Sequence, residues 1–258
     1  MVNIHPTAIV SPKALLGENV VVSPFAIIHD KVEIGDNTFI GPKAVVYDFT
    51  TIGSNVKIFH DASIGHIPQD LKFKGEESYC RIGDNSIIHE FVTIHRGTAA
   101  SLNTIVGKNV FLMAYSHVAH DCIIEDNVII ANWTQIAGHV HVFHNAVIGG
   151  SVKLIQFMRI GKFCMVQGGR SVNKDVPPYV LAGEEDLSYG GLNSVGLRRN
   201  GFTNEQIADI KKIYNYIYKS NLNISQAKEK IQVEFAGNKF ADEILNFINE
   251  SKHGIISN

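Results

Sequence analysis

The stretch AIIHDKVEIGDNTFIGPKAVV, residues 26–46, repeats one pattern every six residues. A large aliphatic residue stands at Ile28, Ile34, Ile40 and Val46, and a small or β-branched residue stands two positions before each of them. This period fits neither an amphipathic helix nor the simple alternation of a strand. Short strands with a turn in every six residues instead predict a parallel β-solenoid, whose neighbouring coils pair and enclose a continuous apolar core.

The same register covers most of the chain. It runs from Ile4 to Ile64, resumes from Ile82 to Ile94, and runs again from Val106 to Val172. Glycine often follows the large aliphatic residue, and we interpret it as the residue whose freedom in φ lets the backbone turn. The pattern resembles that of the hexapeptide-repeat, left-handed β-helix family, in which three hexads make one triangular coil of eighteen residues.

Two polar segments interrupt the register, over residues 66–81 and 95–104. We expect both to protrude as loops, and binding residues tend to lie on loops that a rigid scaffold presents. After Val172 the repeat fails, and from Arg198 onward the apolar period becomes helical. The chain is therefore predicted to change its architecture near its last quarter.

The predicted fold is mainly β, with two parts. A left-handed parallel β-helix is expected over residues 1–190 and a C-terminal α-helical domain over residues 191–258. Thr203 and Gln206 form a capping box at the start of the first amphipathic helix of this domain, and two further amphipathic segments follow. We expect these helices to cap the end of the solenoid and to pack on its flank.

Composition excludes several classes of protein. The 258 residues are 45% hydrophobic and 19% charged, which is ordinary for a folded protein, and the net charge of -2 gives no bulk attraction to nucleic acid or an anionic membrane. The N-terminal sequence MVNIHPTAIV is not a signal peptide, and no apolar run is long enough for membrane insertion, so we expect a cytoplasmic protein. Three cysteines in the small position of the repeat are predicted to be core residues: Cys80, Cys122 and Cys164.

The segment HVAHDC, residues 117–122, places titratable side chains inside the repeat. His117, His120 and Asp121 fall on positions that we expect to point outward. A coil of eighteen residues would place further polar groups above them, so that polar side chains cluster along one edge of the triangular solenoid. The two predicted columns are His120, Gly138 and Gln156, and Asp121, His139 and Phe157.

These columns predict acyl transfer to a hydroxyl group. A histidine with a pKa near neutrality suits the removal of a proton from a hydroxyl. A backbone N–H one coil above could stabilise a developing oxyanion, and Gly138 fits that position because it has no side chain to block approach. The pattern by itself does not name a substrate.

The motifs resemble those of one enzyme family in particular, the UDP-N-acetylglucosamine O-acyltransferases that begin lipid A biosynthesis. The similar segments, which cover nearly the whole chain, are IPQDLKF, VTIHRGT, HVAHDC, AGHV, DVPPYV and GLNSVGLRRNGF. The resemblance implies transfer of an (R)-3-hydroxyacyl group from acyl carrier protein to the sugar 3-hydroxyl. It further implies a homotrimer with clefts between subunits, and no cofactor, because the acyl carrier protein is a co-substrate.

The resemblance also implies roles for single residues. His120 would be the general base, Gly138 the oxyanion donor, and Asp121 a candidate for orienting the base. Met165 and Gly168 correspond to positions that set acyl-chain length. The residues expected to bind the sugar nucleotide are Gln69, Asp70, His95, His117, His139, Gln156, Asn193 and Arg199.

Three positions depart from the family's familiar pattern. Ile155 replaces a histidine beside Gln156, Val195 stands where a glutamate is common, and Asn200 where a second arginine is common. These departures leave open an altered sugar, such as one with an amine at the 3-position, which would give an amide product. The same departures weaken the nucleotide contacts that the resemblance implies.

Other classes of function remain open on the sequence. His139 and His144 form an HxxxxH pattern, and hexapeptide carbonic anhydrases hold zinc with three histidines across a subunit interface; His117 or His120 would supply the third. That hypothesis leaves the helical tail and the PQDLKF segment unexplained, and we therefore expect no metal. A second alternative is a non-catalytic scaffold, but such a protein would not need converging histidines. A third alternative is the N-acyltransferase family of the same pathway, whose members usually carry a further N-terminal domain.

Overall fold

The computed structural model describes residues 1–183 and 186–258. Short parallel strands form a triangular prism with three faces, each of them one sheet, and helices follow at the C-terminal end. The predicted left-handed parallel β-helix with a C-terminal helical domain is confirmed.

The three sheets are named here in the order in which the chain first enters them. The first sheet contains Asn3–Ile4, Val21–Val22, Phe39–Ile40, Lys57–Ile58, Ile87–Ile88, Phe111–Leu112, Ile129–Ile130, Val147–Ile148, Met165–Val166, Val180–Gly183 and Ser188–Leu192. The second sheet contains Ile9–Val10, Ile27–Ile28, Val45–Val46, Ser63–His66, Thr93–His95, His117–Val118, Gln135–Ile136, Lys153–Leu154 and Ser171–Val172. The third sheet contains Leu15–Leu16, Glu33–Ile34, Thr50–Ile52, Tyr79–Ile82, Asn103–Val106, Ile123–Ile124, His141–Val142 and Arg159–Ile160.

Strand pairing fixes the length of each coil. Asn3 pairs with Val21 eighteen positions later, as the six-residue period requires for three hexads a coil. Thr50 instead pairs with Cys80, and Cys80 with Thr104, so these two coils take 30 and 24 residues. The extra 12 and 6 residues lie in two loops, which we call the first loop (residues 67–78) and the second loop (residues 96–102). Both predicted interruptions are therefore insertions within a coil, at the corner between the second and third sheets.

The two apolar positions of each hexad fill the core of the prism. From Val20 onward the large aliphatic residues and the small residues that precede them are almost fully buried. The three cysteines are fully buried in the small position, as predicted, and burial raises the pKa of each thiol to about 12. They stay neutral at physiological pH and pack as small apolar groups.

The corners of the prism overturn our interpretation of the glycines. The residue before most of the small positions has a positive φ near 60°, and it is usually an asparagine, an aspartate or an aromatic residue rather than glycine. Glycines that follow the aliphatic residue serve close approach between coils instead, since a Cβ at Gly35 would lie 2.7 Å from the Gly53 carbonyl carbon. The backbone turns at non-glycine residues, and this places side chains such as Asp121 and His139 at a corner in a fixed orientation.

Four helices follow the last strands. They are α1 (Ser194–Arg199), α2 (Asn204–Tyr218), α3 (Ile224–Glu234) and α4 (Lys239–Asn249). The predicted capping box of Thr203 and Gln206 is present, and the apolar face predicted for α2 is buried. The sequence did not reveal the short helix α1 or the antiparallel pairing of the last two strands. None of the described helices has the length and apolar character needed to cross a membrane.

Polar contacts and aromatic packing join the helices to the solenoid. Lys162 forms an ion pair with Glu243 of α4 at 2.7 Å, and the Tyr179 hydroxyl donates to the same carboxylate. The buried Tyr214 hydroxyl of α2 donates to the Pro178 carbonyl at 2.7 Å. These contacts hold the helical part rigidly over the last coils.

Candidate active site

His120 and Asp121 form a buried pair at the corner between the second and third sheets. The His120 Nδ1 atom lies 2.7 Å from Asp121 Oδ2, and both side chains are buried, with 7% and 0% of their surface exposed. An ionised carboxylate can only accept, so Nδ1 donates and Nε2 remains the basic nitrogen. These side chains are buried although they lie outside the core of the prism, because the second loop covers the corner.

The second loop encloses the Asp121 carboxylate. The Thr98 hydroxyl donates to Oδ2 at 2.7 Å, and the Ser101 hydroxyl donates to Oδ1 at 2.5 Å. The backbone N–H groups of the same two residues also donate to Oδ1, at 3.1 and 3.2 Å. Burial alone would raise the pKa of Asp121, but the hydrogen bonds from Ser101, Thr98 and His120 lower it below its ordinary value.

Gly138 lies against the His120 ring, one coil above it. A Cβ at Gly138 would be 2.5 Å from His120 Cε1 and 2.7 Å from Nε2, so only glycine fits beside this ring. Gly138 stands two positions after a large aliphatic residue, as Glu18 does at the corner between the third and first sheets. There the Glu18 N–H donates to the Asp36 carboxylate of the next coil. Within the described residues the Gly138 N–H has no acceptor, and it remains available to a ligand.

The two predicted columns are present. The His139 N–H donates to the His120 carbonyl, and the Phe157 N–H donates to the Gly138 carbonyl. The His139 ring stacks on Phe157 with 4.7 Å between centroids, and its Nε2 lies 3.9 Å from Asp121 Oδ2. Gln156 continues the first column and is exposed. The corner therefore presents two histidines and one amide side chain around a single carboxylate.

A row of histidines on the second sheet leads to this corner. His117 shares a 2.7 Å hydrogen bond with the Thr93 hydroxyl, and its ring lies 4.9 Å from that of His95. The Nδ1 atom of His95 is buried and has no partner among the described residues. Burial and the neighbouring His117 lower the pKa of His95 to about 4, and burial also lowers the pKa of His117. Both rings are neutral at pH 7.

Acid should destabilise the protein through His95. The unfolded chain binds a proton at this histidine near pH 6.5, whereas the folded chain resists protonation until about pH 4. The free energy of unfolding should therefore fall between these two values, by up to about 3 kcal/mol for this one group. Urea titrations from pH 7.5 to 4 should show a flatter pH dependence for His95→Gln than for the wild type. The exposed His5→Gln serves as the control, and an unchanged slope in His95→Gln would contradict the prediction.

The first loop adjoins the second and carries two of the predicted sugar-binding residues. Gln69 is exposed, and Asp70 accepts the Lys72 N–H at 2.9 Å. The Glu76 carboxylate accepts the Ala99 N–H of the second loop at 2.9 Å. The two loops are thus joined directly beside the His120 corner.

Arg96 is a central contact that the sequence did not single out. Its guanidinium lies 5.1 Å from the Phe49 ring centroid and 5.5 Å from that of Phe73 in the first loop. The side chain is nearly buried, and burial lowers its pKa. Thr98 and Ser101 were also missed, because sequence spacing does not show which loop atoms reach Asp121. The polar composition of their loop was the one available signal.

Four predicted site residues lie elsewhere on the chain. Asn193 caps α1 and donates to the Phe163 carbonyl at 2.9 Å, at the corner between the third and first sheets. Arg199 is exposed in the last turn of α1. Met165 lies on the first sheet, and Gly168 packs at the corner after it, where a Cβ would be 2.9 Å from the Gly150 carbonyl oxygen. One chain therefore does not bring these four residues to His120.

The histidines expected in a zinc site are separated as well. His139 lies at the corner between the second and third sheets, whereas His144 lies at the next corner, beside Phe163. In the described part of the chain, one group could offer three ligand atoms to a metal ion: His120, Asp121 and His139, whose atoms lie within 4.8 Å of one another. Its aspartate already accepts five hydrogen bonds.

Comparison with known proteins places this architecture in a class and then in a family. The bacterial transferase hexapeptide model matches residues 31–66 and 103–138, and this defines a hexapeptide-repeat transferase. The model for domain 2 of UDP-N-acetylglucosamine O-acyltransferase matches residues 175–256. The chain belongs to the acyl-[acyl-carrier-protein]--UDP-N-acetylglucosamine O-acyltransferase family, and the resemblance noted in its motifs is confirmed.

Three relatives show how close the similarity is. The family member from Sulfurihydrogenibium sp. is 48% identical over 99% of this chain and 94% of its own length. That from Myxococcus xanthus is 40% identical over 99% of both chains. The crystal structure of LpxA, a UDP-N-acetylglucosamine acyltransferase from Bacteroides fragilis, has a TM-score of 0.96 and 47% identity, covering 98% of this chain and 99% of that one.

Proposed function

We propose that this protein transfers an (R)-3-hydroxyacyl group from acyl carrier protein to the 3-hydroxyl of UDP-N-acetylglucosamine, the first step of lipid A biosynthesis. The observation that carries the proposal is the His120–Asp121 pair with its free Nε2 beside the unpaired Gly138 N–H. Full-length relatives named for this activity support the choice of substrates. The cytoplasmic location expected from the sequence is part of the same proposal.

In this mechanism His120 is the general base. Nε2 removes the proton from the sugar 3-hydroxyl while the oxygen attacks the thioester carbonyl carbon. The imidazolium that forms keeps its Nδ1 proton in the hydrogen bond to Asp121, whose negative charge stabilises it. Asp121 is thus the orienting residue of the pair, and its lowered pKa keeps it ionised.

Gly138 serves the next stage of the reaction. The carbonyl oxygen gains negative charge in the tetrahedral intermediate, and the free N–H of Gly138 donates to it. When the intermediate collapses, the carbon–sulfur bond breaks and the thiolate of the acyl carrier takes the proton from His120 Nε2. His120 is then neutral again, the thiol of the acyl carrier is released, and the step needs no cofactor.

Sugar binding is assigned to the polar groups around the same corner. Gln69 and Asp70 lie in the first loop, and His117, His139 and Gln156 lie along the second sheet and its corner. His95, neutral and buried, packs beside the His117 ring at 4.9 Å and is assigned to the same site. These side chains offer both donors and acceptors, which suits a sugar with several hydroxyl groups.

The assembly proposed is a homotrimer with sites between subunits. Asn193 and Arg199 lie near a different corner from His120, so a second copy has to bring them to the nucleotide. Arg199 is exposed and carries the planar guanidinium that suits a diphosphate. Met165 and Gly168, on the first sheet and the corner after it, would line the acyl chain of a neighbouring site in the same way.

Mixing two inactive variants tests this composite site. We expect His120→Ala and Arg199→Ala each to lose most of the activity when present alone. Co-expressed with different tags and purified through both, they should regain activity, since a mixed trimer contains a cleft that joins an intact His120 to an intact Arg199. Light scattering should report three chains. No regained activity in a doubly tagged trimer would mean that one chain supplies both residues.

The activity itself is tested by product formation. Purified protein is given 3-hydroxyacyl carrier proteins of several chain lengths, with UDP-N-acetylglucosamine or its 3-amino analogue, and products are identified by mass spectrometry. We expect an ester on the ordinary sugar. An amide on the amino sugar alone would assign the protein to N-acylation and connect Ile155, Val195 and Asn200 with substrate choice, and no transfer to either would overturn the proposal.

A further inference from the structure

The carboxylate of Asp121 accepts hydrogen bonds from several donors besides His120. Five hydrogen bonds reach its two oxygens, and four of them come from Thr98 and Ser101 of the second loop. An ionised carboxylate offers about four lone-pair positions, so its capacity to accept is filled. Such a group has little freedom to rotate and no free position for a proton.

The two loop hydroxyls bind different oxygen atoms of the carboxylate. Thr98 donates to Oδ2, the same oxygen that accepts His120 Nδ1, and Ser101 donates to Oδ1. The Asp121 backbone is fixed as well, because its N–H donates to the buried Thr104 hydroxyl at 2.8 Å and its φ is 60°. Backbone and side chain are therefore both immobilised, from opposite sides.

We propose that Thr98 and Ser101 are positioning residues, whose hydroxyls hold the Asp121 carboxylate so that His120 keeps its proton on Nδ1 and presents Nε2 to the substrate. The inference deepens the proposed function, on which it rests for its kinetic consequence. In free histidine the proton resides mainly on the other nitrogen, so the enzyme has to impose this tautomer. Neither hydroxyl touches the substrate, and both act through Asp121.

The same contacts link the base to the first loop. Glu76 accepts the Ala99 N–H between Thr98 and Ser101, and its other oxygen accepts the Lys74 N–H of the first loop at 2.8 Å. A continuous set of hydrogen bonds thus runs from the segment that carries Gln69 and Asp70 to the His120 ring. The arrangement fixes the distance between the sugar-binding loop and the base.

The charges around the pair are few. His139 faces Asp121 from the coil above at 3.9 Å, and its ring lies 5.1 Å from that of His120. His117 and His95 approach His120 from the second sheet, and both have lowered pKa values because they are buried. Asp121 is the acidic group in direct contact with His120, so holding that carboxylate in place decides the state of the base.

The test compares variants that lose or keep each hydroxyl. Thr98→Val with Ser101→Ala should lower kcat by about tenfold, a part of the hundredfold or more that a general base contributes. KM for both substrates should change by less than about twofold, since neither residue contacts them. Thr98→Ser, which keeps the hydroxyl, should retain most of the activity. Thr38→Val removes a similarly buried hydroxyl from a distant coil and controls for lost packing.

A spectroscopic measurement separates this proposal from the proposed function. In ¹⁵N-histidine-labelled protein, the His120 ring should show the Nδ1-protonated tautomer, and the double variant should show a mixture of both tautomers. This result does not depend on acyl transfer, so an inactive wild type with the expected spectra would overturn only the proposed function. Unchanged tautomer and kcat in a folded double variant, or a loss in Thr98→Ser equal to that in Thr98→Val, would overturn the positioning role.

Discussion

Replacing His120 with alanine should lower kcat for acyl transfer by about a thousandfold, within the range that general-base catalysis contributes. The reason is that Nε2 is the basic nitrogen of the pair, since Nδ1 is occupied by Asp121 at 2.7 Å. KM for the nucleotide sugar should change far less, because the other polar groups of the corner remain. Initial rates with saturating 3-hydroxyacyl carrier protein measure the effect.

The variant requires a check that it still folds. Removing the ring leaves the Asp121 carboxylate with its four donors from the second loop, so the corner stays hydrogen-bonded and the melting temperature should fall little. Exposed His5→Ala serves as the matched control. A His120→Ala enzyme that folds and retains a tenth of the wild-type kcat would rule out His120 as the base.

Gly138→Ala should have the second largest effect, a fall in kcat of about a hundredfold, as is typical when oxyanion stabilisation is lost. The added Cβ would lie 2.5 Å from the His120 ring, which is buried and has to move away. Both the base and the backbone N–H then leave their places. The backbone itself tolerates alanine, since Gly138 is not among the glycines with positive φ.

Kinetics at several pH values test this prediction together with thermal unfolding. The control is Gly150→Ala, a glycine at the corner between the first and second sheets whose Cβ would come no closer than 3.3 Å to the Asn132 carbonyl oxygen. We expect that control to keep its activity and both variants to stay folded. A Gly138→Ala enzyme with wild-type kcat would show that this position does not border the reacting atoms.

Much of the fold could be predicted because each coil depends on a local pattern. Outside the two loops, the aliphatic and small positions of the hexads recur with the same period from Val20 to Val172, and the structure buries them as predicted. The role of glycine was predicted wrongly. The sequence shows where glycines stand, but whether one is needed for φ or for space depends on the coil above it, as Gly35 illustrates.

The candidate site was only partly predictable for a similar reason. The columns of His120 and Asp121 follow from the length of a coil, and they are present. Thr98 and Ser101 reach Asp121 from an insertion whose path the repeat does not determine. The sequence also did not predict that Asn193 and Arg199 lie at a different corner from His120. Their position depends on how the C-terminal segment packs on the last coils, which the repeat does not determine.

The loop insertions have a consequence for how readily such an enzyme changes its substrate. Pairing strands 30 residues apart instead of 18, as Thr50 and Cys80 do, adds only about 0.5 kcal/mol of closure entropy, because that entropy grows with the logarithm of length. The strands on either side of the insertion keep their parallel register with the neighbouring coils. Selection can therefore lengthen, shorten or rewrite the first loop at almost no thermodynamic penalty, while the coils and the second loop keep the groups that handle the proton in place.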